Sequence, residues 1–169
     1  MVTFTLKPLS SEAIPAALAK AERYRLLNEP EQAESICEDI LRTDPANQPA
    51  RIMLLLALTD QFAEHEGLFV TRAQELADGM AGAYERAYFS GIIAERRARA
   101  IIARGGHGAT LPAGRWLRDA MQHFELADAS RPPGNDEARL RWNACARLAM
   151  THPNLVAVEE GRGQPIMLE

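Results

Sequence analysis

Cysteine and long apolar runs are scarce in this chain of 169 residues. Cys37 and Cys145 are the only cysteines and lie far apart, which excludes a disulfide-stapled scaffold and makes a reducing, cytoplasmic location the expectation. The longest apolar run, Ile52 to Leu58, is far shorter than the roughly 20 residues that span a membrane. Residues 1–24 lack a basic start followed by an apolar stretch, so the sequence predicts neither a signal peptide nor membrane association.

Lysine and aromatic residues are also few. Lys7 and Lys20 are the only lysines among 19 basic residues, and the basic residues of 86–147 are all arginines that outnumber the acids there. A guanidinium group can bind a carboxylate or phosphate with two hydrogen bonds, so this region favours an acidic partner. A solvated surface in a GC-rich coding sequence explains the arginines equally well. The pI near 5.6 and the 6% aromatic content argue against a nucleic-acid partner.

Patterns for catalysis and metal binding are missing. The four histidines do not have the spacing of a metal site, and neither cysteine has a histidine placed with it. The segment Gly105-Gly106-His107-Gly108 follows a helix rather than a strand and lacks the Lys-Ser or Lys-Thr of a phosphate loop. The sequence therefore predicts no cofactor, no metal and no enzymatic activity.

Apolar residues recur with helical spacing almost everywhere, and strand signals are nearly absent. The spacing and the Pro, Gly and Asn breakers predict seven helices, at about 12–27, 30–43, 47–64, 69–80, 82–104, 115–129 and 136–150. The predicted organisation is an extended segment over 1–11, one helical domain over 12–151, and an extended or disordered tail over 152–169.

Two of the predicted hairpins share a spacing pattern. In both, small residues are followed by a side chain that fills the gap beside them and by a proline that ends the second helix. After Ala21 and Tyr24, the first hairpin continues with Ala33, Cys37, Ile40 and Pro45. The steps of four, three and five recur at Ala120, Phe124, Ala127 and Pro132, and Gly91 and Ala94 repeat the step of three. Small residues at a crossing point let two helices approach closely, and proline ends the second helix.

This pattern resembles the tetratricopeptide repeat family, whose unit is a helix–turn–helix of about 34 residues. Residues 14–47 match it well, 84–134 match with an insertion, 48–83 match by helix count and apolarity, and 135–150 form a lone closing helix. The resemblance implies an all-α superhelix of antiparallel hairpins with about seven helices. It also implies a non-catalytic adaptor or scaffold that binds a partner peptide or helix on its concave face.

Two sets of residues are candidates for that binding. Tyr88, Ile92, Arg96 and Arg99 share one face of the long fifth helix and suit a peptide with apolar and acidic side chains. The alternative is that Tyr88 and Ile92 belong to the core and both arginines are solvated.

The second set lies one helical turn apart on the seventh helix and comprises Arg139, Asn143 and Arg147. Some proteins of the family hold a C-terminal carboxylate with a basic residue and an asparagine in this relation. The first helix offers Glu22 and Arg25, which do not complete such a clamp, and an ordinary capping surface is the alternative.

A different class of function is also open. A structural homo-oligomer would bury the groove, which its own or a neighbour's tail, residues 154–169, would fill.

Overall fold

The computed structural model describes residues 3–65 and 67–156. Over these residues the chain is all-helical and contains no strand, which confirms the predicted all-α class and the count of about seven helices. None of the described helices combines the length and apolarity needed to cross a membrane. The helices are α1 (Ile14–Leu26), α2 (Pro30–Thr43), α3 (Gln48–Asp60), α4 (Gly67–Asp78), α5 (Ala83–Arg104), α6 (Thr110–Ala129) and α7 (Glu137–Thr151), with short 3-10 helices at Ser11–Ala13 and Pro153–Leu155.

The chain divides into two compact units, one within residues 1–76 and one within 77–169, and the boundary falls inside α4. The region predicted as one helical domain, 12–151, thus contains parts of both units. Each unit has its own set of packed helices, and the candidate binding residues all belong to the second.

In the first unit, α2 packs against both α1 and α3. Pro30 opens α2, where its missing N–H costs nothing. The Asn47 side chain caps α3 by accepting a 3.0 Å hydrogen bond from the Ala50 backbone N–H. An ion pair of 2.7 Å between Arg25 and Asp60 ties α1 to α3.

Acidic residues of α2 also hold α4. Glu34 accepts hydrogen bonds from Gln61 and from Arg72, at 3.0 Å and 2.6 Å, and Arg72 reaches Glu38 at 2.7 Å. Burial lowers the pKa of Arg72, but the hydrogen bond and charge of Glu34 outweigh burial and the pKa is raised. The two carboxylates therefore position α4 within the first unit.

In the second unit, α6 packs against both α5 and α7. Gly91 on α5 faces the ring of Phe124 on α6, and a Cβ at Gly91 would lie 2.6 Å from that ring. Phe124 is fully buried, so the glycine is what allows the two helices to approach. This is the close crossing predicted from the small residues.

The residues that carry the family resemblance lie mostly in the two cores. Ala21, Ala33, Cys37, Ile40, Ala94, Ala120, Phe124 and Ala127 are all buried. Tyr24 is half-buried and Pro45 is exposed. The spacing thus predicted packing positions correctly.

Three predicted boundaries are wrong, and the first is the end of α3, which lies at Asp60 rather than near 64. Helix α6 begins at Thr110 rather than near 115, because Pro112 is tolerated in a first turn. Gly114 is buried inside α6, where a Cβ would collide with the Leu155 carbonyl oxygen. Leu155, predicted to lie in an extended tail, is instead buried in the 3-10 helix Pro153–Leu155. The rest of the predicted tail, 157–169, lies outside the described residues.

Candidate functional site

A buried carboxylate stands at the centre of the second unit. Glu95 on α5 is 1% exposed, and its Oε1 atom accepts a 2.9 Å hydrogen bond from Nε of Arg99, one turn along the same helix. Its Oε2 atom lies 3.5 Å from Nη1 of Arg141 on α7 and accepts no hydrogen bond from any described residue. One carboxylate therefore links two guanidinium groups that belong to different helices.

Tyr88 and Cys145 complete this group, which we call the α5–α7 cluster (Tyr88, Glu95, Arg99, Arg141 and Cys145). Burial lowers the pKa of Arg141, but the charge of Glu95 and a hydrogen bond to the Tyr88 hydroxyl outweigh burial and the pKa is raised. Burial raises the pKa of Tyr88, and the hydrogen bond and charge of Arg141 offset only part of that rise. Burial raises the pKa of the Cys145 thiol to about 12. At neutral pH the tyrosine and the thiol are therefore uncharged.

The cluster changes the prediction for the fifth helix. Ile92 is 1% exposed and belongs to the core, so its prediction as a peptide-binding residue is wrong. Tyr88 is half-buried, stacked on Tyr84 at a centroid distance of 5.6 Å. Arg99 is partly exposed but holds Glu95, and Arg96 is half-buried. Residues that share one helical face thus include core and surface positions, and they form no continuous open stripe.

A groove lies between α6 and α7 and has a volume of about 460 Å³. We call it the α6–α7 groove; it is lined chiefly by Phe124, Glu125, Asp128, Arg139, Trp142 and Asn143. It combines the ring of Trp142 with charged and amide groups, the mixture that recognition sites for peptides and small molecules have in common.

Polar contacts inside this groove set its chemistry. Nε of Arg139 lies 2.8 Å from Oδ1 of Asp128, and Nη1 of Arg139 lies 3.9 Å from Oδ1 of Asp136. Trp142 donates a 3.0 Å hydrogen bond from Nε1 to Oε1 of Glu125. The guanidinium group of Arg139, which the sequence predicts to bind a partner's carboxylate, thus already contacts a carboxylate of the same chain.

The structure brings together two of the three predicted residues on α7. Arg139 and Asn143 line the α6–α7 groove, and both are exposed. Arg147 is exposed one turn further along α7, outside the lining of this groove. Arg141, on the same helix, is half-buried against Glu95.

A second groove, near the end of the described chain, is almost wholly apolar. We call it the apolar groove; its volume is about 470 Å³ and its lining includes Leu117, Met121, Ala146, Met150, Leu155 and Val156. Met150 is 78% exposed there. Exposed methionine is adaptable and suits a contact surface.

The described residues contain no group of three or more His, Cys, Asp or Glu side chains that could hold a metal ion. Asp119 and His123 lie 3.9 Å apart on α6 as an isolated pair. Cys37 is buried, and burial raises the pKa of its thiol to about 12. Such a thiol is protonated at neutral pH and is a poor nucleophile.

Sequence reasoning missed Glu95, Arg141 and Asp128 as site residues. A signal for Glu95 was present, since it lies one turn after Ile92 and one turn before Ala98, both of which are core residues. A charged residue on the apolar face of a helix needs a partner. No comparable pattern indicated that Asp128 on α6 would meet Arg139 on α7.

No protein-family model matches this chain, and no curated protein or solved structure matches it either.

Proposed function

We propose that the protein is a non-catalytic interaction module that binds a segment of a partner protein in the α6–α7 groove. The observation that carries the proposal is the meeting of Arg139 and Asn143 with Trp142 around one groove of about 460 Å³. Large aromatic side chains with arginine are the groups that supply most of the energy at protein interfaces. Two buried free thiols suit a cytoplasmic protein.

The chemistry of the groove describes the partner segment. An apolar side chain of the partner would pack against Trp142, and the Asn143 amide would hydrogen-bond to the partner's backbone. A carboxylate of the partner, from an acidic side chain or a C-terminus, would bind Arg139. It would compete there with Asp128, which lies 2.8 Å from the guanidinium.

The test is a selection of peptides from a displayed random library on the immobilised full chain. Asn143→Ala is the variant because Asn143 is exposed and its truncation leaves the helices intact. We expect the selected peptides to bind Asn143→Ala about three- to tenfold more weakly, the effect of one lost hydrogen bond. Gln122→Ala, an exposed amide on α6 outside the groove lining, is the matched control and should bind as the wild type does. A selection that enriches no sequence, or peptides that bind Asn143→Ala as well as the wild type, would contradict the proposal.

The second candidate function is self-association through the apolar groove. Its support is the exposure of Met150 and the position of Val156, which lines the groove at the point where residues 157–169 begin. Those residues include Val158, Ile166 and Leu168, which would fill the groove of the same chain or of a second copy.

Light scattering distinguishes a tail that fills the groove of its own chain from a tail that fills the groove of a second copy. A wild-type dimer that becomes a monomer on truncation after Val156 supports exchange of the tail between copies. A monomer in both forms, with no change at Met150 in methyl spectra, contradicts both occupants.

A further inference from the structure

We infer that Arg99 and Arg141 form a binding site for an oxyanion, a carboxylate or phosphate group, with Glu95 as the residue that positions both. This site is separate from the α6–α7 groove and does not depend on the function proposed for that groove. In this inference the α5–α7 cluster binds a ligand in addition to stabilising the fold.

The first argument is orientation. Arg99 Nε and Arg141 Nη1 approach the two oxygens of one carboxylate, so a single buried acid anchors two guanidinium groups that come from different helices. Each guanidinium carries five N–H donors. The described contacts use one nitrogen of each group for Glu95, and Arg141 also donates to the Tyr88 hydroxyl, so further donors of both groups remain for a ligand.

The second argument is accessibility. Glu95 is 1% exposed, whereas the side chains of Arg99 and Arg141 are 44% and 36% exposed. The carboxylate is therefore buried, and the side chains of the two arginines are the charged members of the cluster that solvent reaches. An anion that approaches from solvent therefore contacts Arg99 and Arg141 rather than Glu95.

The third argument is charge. Two guanidinium groups share one buried carboxylate, and Tyr88 and Cys145 are uncharged because burial raises the pKa of both. The cluster therefore carries one excess positive charge in a partly desolvated place, where charge interactions are stronger than in water. The exposed Glu137, one turn before Arg141 on α7, acts on Arg141 from outside and opposes anion binding.

Guanidinium groups in fixed positions recognise planar or tetrahedral oxyanions through paired hydrogen bonds, and lysine does not reproduce that geometry. Carboxylates of an acidic polypeptide and free phosphate share this chemistry. The test uses one probe of each kind: a peptide of six glutamates and inorganic phosphate. The readout is the Nε–Hε resonances of the arginine side chains in the full chain.

We expect the probes to shift the resonances of Arg99 and Arg141 at millimolar concentration. Arg99→Lys and Arg141→Lys keep a cation beside Glu95, so the fold is preserved, and each should weaken binding about tenfold. Glu137→Gln should strengthen binding, because it removes an opposing charge. Arg115→Lys, on exposed α6 surface, is the matched control and should leave binding unchanged.

Shifts with the peptide alone assign the site to an acidic polypeptide, and shifts with phosphate alone assign it to free anions. Absence of shifts with both probes would overturn the inference. Equal binding by the wild type and by both Arg→Lys variants of the cluster would overturn it as well.

Discussion

The carboxylate of Glu95 on α5 and the guanidinium of Arg141 on α7 lie 3.5 Å apart, although α6 is the helix that packs against both. Together with Arg99 they join the first and last helices of the second unit through charge. Burial of the Glu95 carboxylate costs desolvation free energy. The contribution of this cluster to the stability of the fold therefore depends on the presence of both arginines.

Loss of both cations should destabilise the protein severely. We expect Arg99→Ala combined with Arg141→Ala to lower the free energy of unfolding by about 3–5 kcal/mol, because Glu95 would remain buried without a partner. Adding Glu95→Leu should recover much of that loss. Urea denaturation of the wild type, the double variant and the triple variant measures these free energies of unfolding. A double variant that loses less than about 1 kcal/mol, the size of an exposed ion pair, would show that Glu95 is not held by these arginines.

The crossing of α5 and α6 depends on Gly91. Gly91→Ala should lower the free energy of unfolding by about 1–3 kcal/mol, because the new methyl group meets the buried ring of Phe124. Gly67→Ala is the control, since nothing lies within 4 Å of a Cβ at that position. Thermal unfolding compares them. If Gly91→Ala is as stable as Gly67→Ala, the close approach described for these helices is incorrect.

Stability should fall at high pH through the two buried thiols. Burial raises the pKa of Cys37 and of Cys145 from 9.0 to about 12, so the folded state keeps both protons where the unfolded chain releases them. This contribution is fully present below pH 9 and is lost as pH rises toward 12. Urea denaturation in reducing buffer should therefore show a loss between pH 9 and 12 that is smaller in Cys37→Ala/Cys145→Ala. Rapid alkylation of either thiol in the native protein at neutral pH would contradict this burial.

In the first unit, Arg72 should hold α4 in place. Arg72→Ala removes the contacts with Glu34 and Glu38, and we expect a loss of about 1 kcal/mol with faster hydrogen exchange in α4. Arg42→Ala is the control, because its pair with Asp39 is exposed and lies within one helix. Unchanged exchange in α4 would mean that apolar contacts alone position that helix.

Sequence periodicity predicted the helices well because their apolar positions repeat at every turn. The spacing of small residues identified Ala33, Ala120 and Phe124 as packing positions, and all three are buried. The start of α6 was harder to predict from the sequence, because Pro112 and Gly114 are residue types typical of loops. Gly114 is helical because the Leu155 backbone lies against it, and that contact is distant in sequence.

The candidate site could be predicted only in part. Arg139 and Asn143 are one turn apart on α7, so their shared groove follows from helical geometry. Ile92 was assigned to a binding face because spacing identifies which residues share a face, not which faces are covered. The pairs of Arg139 with Asp128 and of Arg141 with Glu95 join different helices, and no local pattern specifies such pairs.

Binding in the α6–α7 groove is the central claim, and Asp128 gives its most direct test. The measurement is the affinity of a selected peptide for the wild type and for Asp128→Asn, which removes the nearer of the two internal carboxylates beside Arg139. If the groove binds a partner's carboxylate, Asp128→Asn should bind the peptide more tightly, and the gain should disappear in Asp128→Asn/Arg139→Gln. Equal affinity for the wild type and Asp128→Asn, or weaker binding by Asp128→Asn, would contradict this account.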